Sequence, residues 1–241
     1  MRAILIFVLF SLGMYSCTSK INSQNTLEPI KVVNLNISEP SGITSFNNNL
    51  YIVSDKNGTI YKTSLDGKIL QKIKLKYNDL EGITIDKATQ NFWVIDESKR
   101  ILISLDSIGD FLQKKKIKGK QQDKNNGLEG VCFVESTNSL IVINEKQPKQ
   151  LLMVNLKGDI TTKIDFNLSN DIAGICFDNK STTFWVVSDE SQTIYNITTK
   201  GALIKSYKIP VDKAEGVVIY NDKLFVVSDS QNKLYIFKKP E

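Results

Sequence analysis

The chain reads as an all-β protein: a single five-bladed β-propeller, closed by pairing of an N-terminal strand with the last blade. Three observations lead there. A glycine followed by a β-branched residue recurs five times, at Gly42-Ile43, Gly82-Ile83, Gly130-Val131, Gly174-Ile175 and Gly216-Val217, with successive spacings of 40, 48, 44 and 42 residues. Each glycine opens an apolar run, a polar turn and further runs of five to eight residues rich in Val, Ile, Tyr and Phe, which is the signature of short antiparallel strands. The fifth copy ends one run short, at "KLYIFKKPE", while an unassigned run "PIKVVNLNI" stands at residues 29–37 near the other end. Four strands per period of about 40–45 residues is the repeat of a propeller blade.

Before the propeller come two segments of another kind. Residues 1–16, "MRAILIFVLFSLGMYS", carry one early charge, Arg2, then an apolar stretch too short to cross a bilayer; this is the layout of an export signal. Cys17 follows at the position where a lipoprotein signal is cleaved and the new N-terminal cysteine acylated. Residues 17–28 form the lipidated cysteine and a polar tether, and residues 29–241 the propeller domain. No second long apolar run exists, so membrane association is expected through the N-terminal anchor alone.

Within the domain the runs follow one another in register. The second runs are "LYIVSD", "FWVIDE", "LIVINE", "FWVVSD" and "LFVVSD"; the third are "TIYKTSL", "RILISLD", "QLLMVNL", "TIYNITT" and "KLYIFKK". Four copies add a Lys-rich fourth run such as "KILQKIKL". Inner strands, packed between neighbours, are apolar on both faces; outermost strands are edges, and lysine on an edge discourages pairing with another chain. Trp93 and Trp185 occupy matching places in two second runs and read as packing between blades.

The 31 basic and 26 acidic residues leave a net charge of +5, but only Arg2 and Arg100 are arginine and the lysines are scattered. The densest basic run, "KKKIKG", has no interleaved aromatic residue, and nucleic acid is not an expected partner. Cys132 and Cys176 sit at equivalent places, "GVCFV" and "GICFD", and read as buried free thiols, with a disulfide in an oxidising envelope as the alternative. There is no histidine, which removes Ser-His-Asp and Cys-His nucleophile pairs and His-based zinc or base chemistry.

Carboxylates are what the repeats hold in common. Before the five glycines stand Ser41, Glu81, Glu129, Ala173 and Glu215. Inner strands converge on the propeller axis, where a Cβ would crowd the neighbouring strand and a tight entry would demand an unusual dihedral, so glycine answers both needs. Glu81, Glu129 and Glu215 then meet at the mouth of the central channel. Like charges there resist ionisation unless a cation or ordered donors compensate, and Ca2+ or another divalent cation with oxygen ligands suits such a group; capping of loop amides or pairing with lysine is the alternative. A second acidic ladder, Asp55, Glu97, Glu145, Asp189 and Asp229, ends the second runs on the same rim. It serves either as hydrogen-bond acceptors for turn amides or as the polar rim of a binding site. "DKNG" at residues 55–58 reads as a hairpin turn.

The phrases "PSGIT", "DLEGITID", "GLEGVCFV", "DIAGICFD" and "AEGVVIY", with their "VSD", "IDE" and "INE" partners and "INEKQPKQLLMVNL", resemble the SdiA-regulated family of bacterial envelope β-propeller proteins over residues 30–240. The resemblance implies an exported or membrane-anchored protein of the cell envelope and no particular reaction. More remotely, the blade pattern is similar to that of calcium-dependent lactonases and other propeller hydrolases. The expectation is a lipid-anchored, monomeric binding module that engages a small ligand or an envelope protein on the Glu-Gly rim. Its rivals are a metal-dependent hydrolase of lactones or esters and a structural envelope protein without ligand.

Overall fold

A computed structural model describes residues 25–119 and 127–241. Five antiparallel sheets of four consecutive positions each make the five blades. Blade 1 comprises Pro40–Phe46, Asn49–Ser54, Thr59–Ser64 and Ile69–Lys74. Blade 2 comprises Leu80–Asp86, Asn91–Asp96, Ile101–Leu105 and Phe111–Lys116. Blade 3 runs through Leu128–Val134, Ser139–Asn144, Gln150–Asn155 and Ile160–Asp165. Blade 4 runs through Ile175–Asp178, Thr183–Ser188, Thr193–Thr198 and Leu203–Lys208. Blade 5 has Ala214–Tyr220, Lys223–Ser228 and Lys233–Lys238, and takes Lys31–Asn34 as its fourth strand.

That last pairing closes the ring. Lys31 lies opposite Ile236 and Asn34 opposite Lys233, and the Ile30 amide donates to the Ile236 carbonyl at 2.8 Å. One expectation needs correction. The sequence places the polar tether up to residue 28, but Asn25–Thr26 already pairs in parallel with the outer strand of blade 4, Asn25 opposite Tyr207. The Leu27 amide donates to the Lys208 carbonyl, and its side chain packs on the core between blades 4 and 5. The N-terminal segment therefore straps two blades together. Its short polar residues hide the pairing from a reading by apolar runs, because a two-residue strand is held by backbone groups alone. Cys17 and the export signal lie outside the described residues.

Packing follows the period of two along each strand. Val94 faces blade 1, in a core with Val53, Ile83 and Phe92, while Trp93 and Ile95 face blade 3 against Leu128, Val131 and Leu140. Each of the five blade interfaces holds one such apolar cluster. At about 1.5–3 kcal/mol for each fully buried Val, Leu, Ile or Phe, these interfaces dominate the stability. Trp185 stacks on Tyr207 at 6.1 Å between blades 4 and 5, which is packing rather than ligand stacking. Cys132 and Cys176 are free and buried, and burial pushes the Cys176 thiol up to about 12.

Around the axis the inner strands come into backbone contact. A Cβ on Gly82 would lie 2.5 Å from the Glu129 carbonyl oxygen; on Gly130, 2.6 Å from that of Ala173; on Gly174, 2.4 Å from that of Glu215. The chain of contacts continues from Gly216 to Ser41 and from Gly42 to Glu81, completing the circle. Crowding alone accounts for these glycines. The unusual dihedral also expected of them is absent, since none has a positive φ. Gly82→Ala should therefore lower stability by about 1–3 kcal/mol through overpacking, or roughly 3–10 °C in Tm for a domain of this size. A thermal melt of the purified variant checks this, and an unchanged Tm would refute the contact.

Candidate functional site

Each inner strand starts at one rim of the propeller, and the second strand returns to it. At this start the ladder is irregular. Leu80 pairs with Asp96 and Gly82 with Ile95, leaving Glu81 as the extra residue of a β-bulge. Glu215 is placed likewise between the Ala214–Ser228 and Gly216–Val227 pairs, and the register of blades 1 and 3 shifts at Ser41 and Glu129. A bulge re-aims the side chain of its extra residue. Here it turns the residue before each glycine into the channel mouth.

The second acidic ladder reaches the same place by a different device. The amides of Asp55, Glu97, Glu145 and Asp229 donate to the carbonyls of Glu39, Asp79, Gly127 and Lys213 at 3.0–3.2 Å, each carbonyl belonging to the residue three before a repeat glycine. Glu39, Asp79 and Lys213 adopt left-handed φ angles of 48°, 63° and 50° to make this turn. In blade 4 the Asp171 carboxylate substitutes, accepting from the Asp189 and Glu190 amides at 3.0 and 3.2 Å and from the Ser188 hydroxyl. The ladder's main chain is thus anchored and its carboxylates are left over. Among the described residues Glu97 alone of the five accepts a turn amide, that of Gly127 at 2.8 Å. Residues 55–58 form the hairpin turn read from the sequence.

What these residues enclose is a cavity of about 240 Å³. Its lining includes Glu81, Glu129 and Glu215, with Asp55, Glu145, Asp189 and Asp229 from the ladder. Asp171 and Glu190 join them, and among the described residues Lys146 and Lys213 are the only basic side chains of the lining. Lys146 bridges Glu145 and Glu190 at 2.9 and 3.1 Å, and Lys213 meets Asp189 at 3.0 Å, so both cations sit on the side of blades 3 to 5. Toward blades 1 to 3 the wall is acid against acid. Below the cavity the five glycines line a void of only about 10 Å³.

The three glutamates before the glycines all face the cavity but do not form one ligand set. Carboxylate oxygens within 4.8 Å of one another form two groups among the described residues: Asp55, Asp79 and Glu81, and Glu97, Glu129 and Glu145. Each group joins a bulge glutamate to carboxylates anchored nearby. Glu215 stands apart, close to Asp189, Lys213 and Asp229. Asp79, Asp171 and Glu190 belong to neither acidic ladder legible in the repeats. "NDLEG" and "NDIAG" carried a signal for the first two, an Asn-Asp pair three residues ahead of the repeat glycine.

Crowding shows in the acidities. Burial first, then Asp55, Glu215 and Glu97, raises Glu81 well above the ordinary range; burial, then Glu81 and Glu97, does the same to Glu129. Burial raises Glu97 to about 7 and Glu215 to about 8, and burial with Asp79 and Glu39 raises Asp55 to about 6. Glu129 is 9% exposed, and neither it nor Glu81 accepts a hydrogen bond or an ion pair from any described basic or amide group. One oxygen each of Glu145 and Asp229 is buried without a partner. Oxygen donors this dense and this poorly satisfied can chelate a divalent cation.

The family model of the SdiA-regulated proteins matches residues 19–169 and 157–241. The chain belongs to the SdiA-regulated family. Among solved structures, this SdiA-regulated propeller is similar to virginiamycin B lyase from Staphylococcus aureus, with 16% identity and a TM-score of 0.52 over 83% of this chain and 66% of that one. It is similar to the WD40 β-propeller domain of Doa1 at 11% identity and TM-score 0.55, covering 83% and 63% of the two chains. A streptogramin B lyase aligns at 18% identity and TM-score 0.52, covering 88% and 73%. At such identities the likeness is one of fold, and the chain spans about two thirds of the length of the first two. A variant of the S. aureus lyase with one histidine replaced by alanine is described as catalytically inactive.

The raised acidities set the sign of a pH effect. A carboxyl whose folded pKa exceeds the unfolded value of about 4.3 holds its proton longer in the folded state, so its contribution is complete below pH 4 and is lost as pH rises through the folded pKa. For Asp55, Glu97 and Glu215 that window runs from about 5 to past 8. In chelator, Tm should fall by several degrees between pH 5.5 and 8.5, and Glu129→Gln should flatten the fall. A Tm that rises across this interval would contradict the assignment.

Proposed function

We propose that this SdiA-regulated propeller is an envelope binding module whose rim cavity holds a divalent cation, calcium foremost, and engages a small ligand or protein through it. One observation carries the reading: Glu129, nine-tenths buried at the mouth and with no basic or amide donor among the described residues, joins Glu97 and Glu145 within ligand distance. Leaving such charges uncompensated is costly, and a hard cation with flexible geometry relieves all three at once. The domain itself is held by apolar blade interfaces, so the site is free to be electrostatically unfavourable without its ion.

A ligand that binds only the folded state stabilises by mass action. At one hundred times its dissociation constant calcium should add about 2.7 kcal/mol, some 5–10 °C in Tm. The gain should be larger at pH 8 than at pH 6, because protons and the cation compete for the same oxygens. Glu129→Gln and Glu81→Gln keep the shape and remove a charge; the first should abolish most of the gain while leaving or raising the Tm in chelator. A wild-type protein indifferent to millimolar calcium and magnesium would overturn the proposal.

A second reading is supported by Glu215. Raised to about 8 by burial and Asp189, and set in the same cavity, it has the acidity of a general base for metal-assisted hydrolysis of a lactone or ester. The absence of histidine does not touch that chemistry, although it separates this chain from any mechanism that rests on imidazole. Turnover of a lactone and ester panel with added calcium, lost in Glu215→Gln, would move the protein from binding module to hydrolase.

A further inference from the structure

A groove of about 530 Å³ runs on the flank of the propeller, between the outer strands of blades 2 and 3. It shares no lining residue with the acidic cavity. Five lysines line it, Lys115, Lys116 and Lys118 from blade 2 and Lys157 and Lys163 from blade 3, against one carboxylate, Asp159. Elsewhere Lys31, Lys87, Lys146, Lys213 and Lys239 each meet a carboxylate within 3.0 Å. Among the described residues none of the five groove lysines has such a partner.

Protection of an edge explains lysine on an outer strand, but it does not explain Lys115. The turn leading into the outer strand of blades 1 to 4 rests its glycine on the outer strand of the preceding blade. Gly67 sits on Val33, Gly109 on Ile73, Gly158 on Lys115 and Gly201 on Ile164. Register makes the four supports equivalent, for they pair with Leu234, Ile60, Leu102 and Leu151. Blade 4 has Tyr207 at the same place, opposite Ile194. Four blades thus keep an apolar residue there, and blade 2 alone has a lysine. Its stem supports the turn as an aliphatic side chain would, and its head adds a charge to the groove. A sixth cation backs the Gly119 wall. A Cβ on Gly119 would lie 2.5 Å from Arg100 Nη2, and Arg100 is 5% exposed, with Nε and Nη1 buried and without a hydrogen-bond partner. A buried guanidinium left in this state adds an uncompensated positive field to the wall.

We propose that this groove is an anion site for a ligand carrying two or more phosphate groups. Five lysines against one carboxylate suit several negative charges rather than one. Ammonium groups bind phosphate as point charges, whereas planar carboxylates favour the arginine fork. Thr161 and Thr162 add hydroxyl donors along the blade 3 side. No aromatic ring lines the groove among the described residues, so a nucleobase has nothing to stack on. Its volume is that of a small-molecule site. The acidic cavity and its cation take no part in this binding.

The test is titration calorimetry of the full chain with sodium tripolyphosphate, in chelator so that no metal links the anion to the acidic cavity. One tripolyphosphate should bind per chain, roughly tenfold tighter than inorganic phosphate, because each further phosphate group meets further lysines. Lys115→Ile gives blade 2 the residue type of the other blades, so it should keep or raise the Tm while weakening tripolyphosphate roughly fivefold. Lys163→Gln should weaken it similarly. Lys72→Gln and Lys205→Gln, on the outer strands of blades 1 and 4, should leave it unchanged. Competition from phosphatidylglycerol vesicles would assign the phosphates to lipid headgroups and its absence to a soluble anion, the site standing in either case. No binding at millimolar tripolyphosphate, equal losses in the Lys72 or Lys205 variants, or tighter binding of polygalacturonate, a carboxylate polymer, would overturn the proposal.

Discussion

Five glycine Cα atoms pressed against the next blade's carbonyl oxygens are the constraint on which the rest of this structure depends. The approach is so close that any Cβ would fall within 3 Å of backbone at all five positions. With the inner strands at that distance the blades can bury both faces, and five apolar interfaces form between them. The ring's single discontinuity, between the first and last blades, is sealed by Lys31–Asn34, with Asn25–Thr26 as a strap on the neighbouring blade.

The same constraint creates the acidic cavity. A strand that must begin with glycine at the axis enters through a bulge, and the residue before the glycine has nowhere to point but the mouth. Three of five such residues are glutamate. The ladder beside them has amides satisfied by left-handed turns at Glu39, Asp79 and Lys213, so its carboxylates, Glu97 excepted, are spared from capping turn amides and add their charge. A repulsive cluster of this kind persists only because the blade interfaces stabilise the fold independently of it. Stability and site are separable, and that separation lets a substitution at Glu129 or Glu215 report on the site rather than on folding.

Polarity runs along the axis as well as across it. One rim gathers carboxylates around a cavity, and the other mixes exposed apolar side chains with lysine–carboxylate pairs such as Lys31–Asp66 and Lys87–Glu135. A propeller gains this two-sidedness cheaply, because strand ends alternate between rims and each rim is built from its own set of loops.

Much of this was written in the order of residues. The repeat of Gly plus a β-branched residue, the strand alternation and the incomplete fifth copy determine a five-bladed ring closed by its N-terminal strand, because backbone pairing and burial depend on local pattern and repeat length. The rim to which Glu81, Glu129, Glu215 and the second ladder belong was equally legible, since strand direction follows from counting strands. Only the tertiary structure decided which carboxylates meet. Glu81 joins Asp55 and Asp79, Glu129 joins Glu97 and Glu145, and Glu215 joins neither group. Equivalent positions in a repeat share a height along the axis, but ligand sets are chosen by ångströms between side chains from adjacent blades. Those distances depend on where each bulge and left-handed turn aims its residue, and no spacing in the sequence encodes that direction.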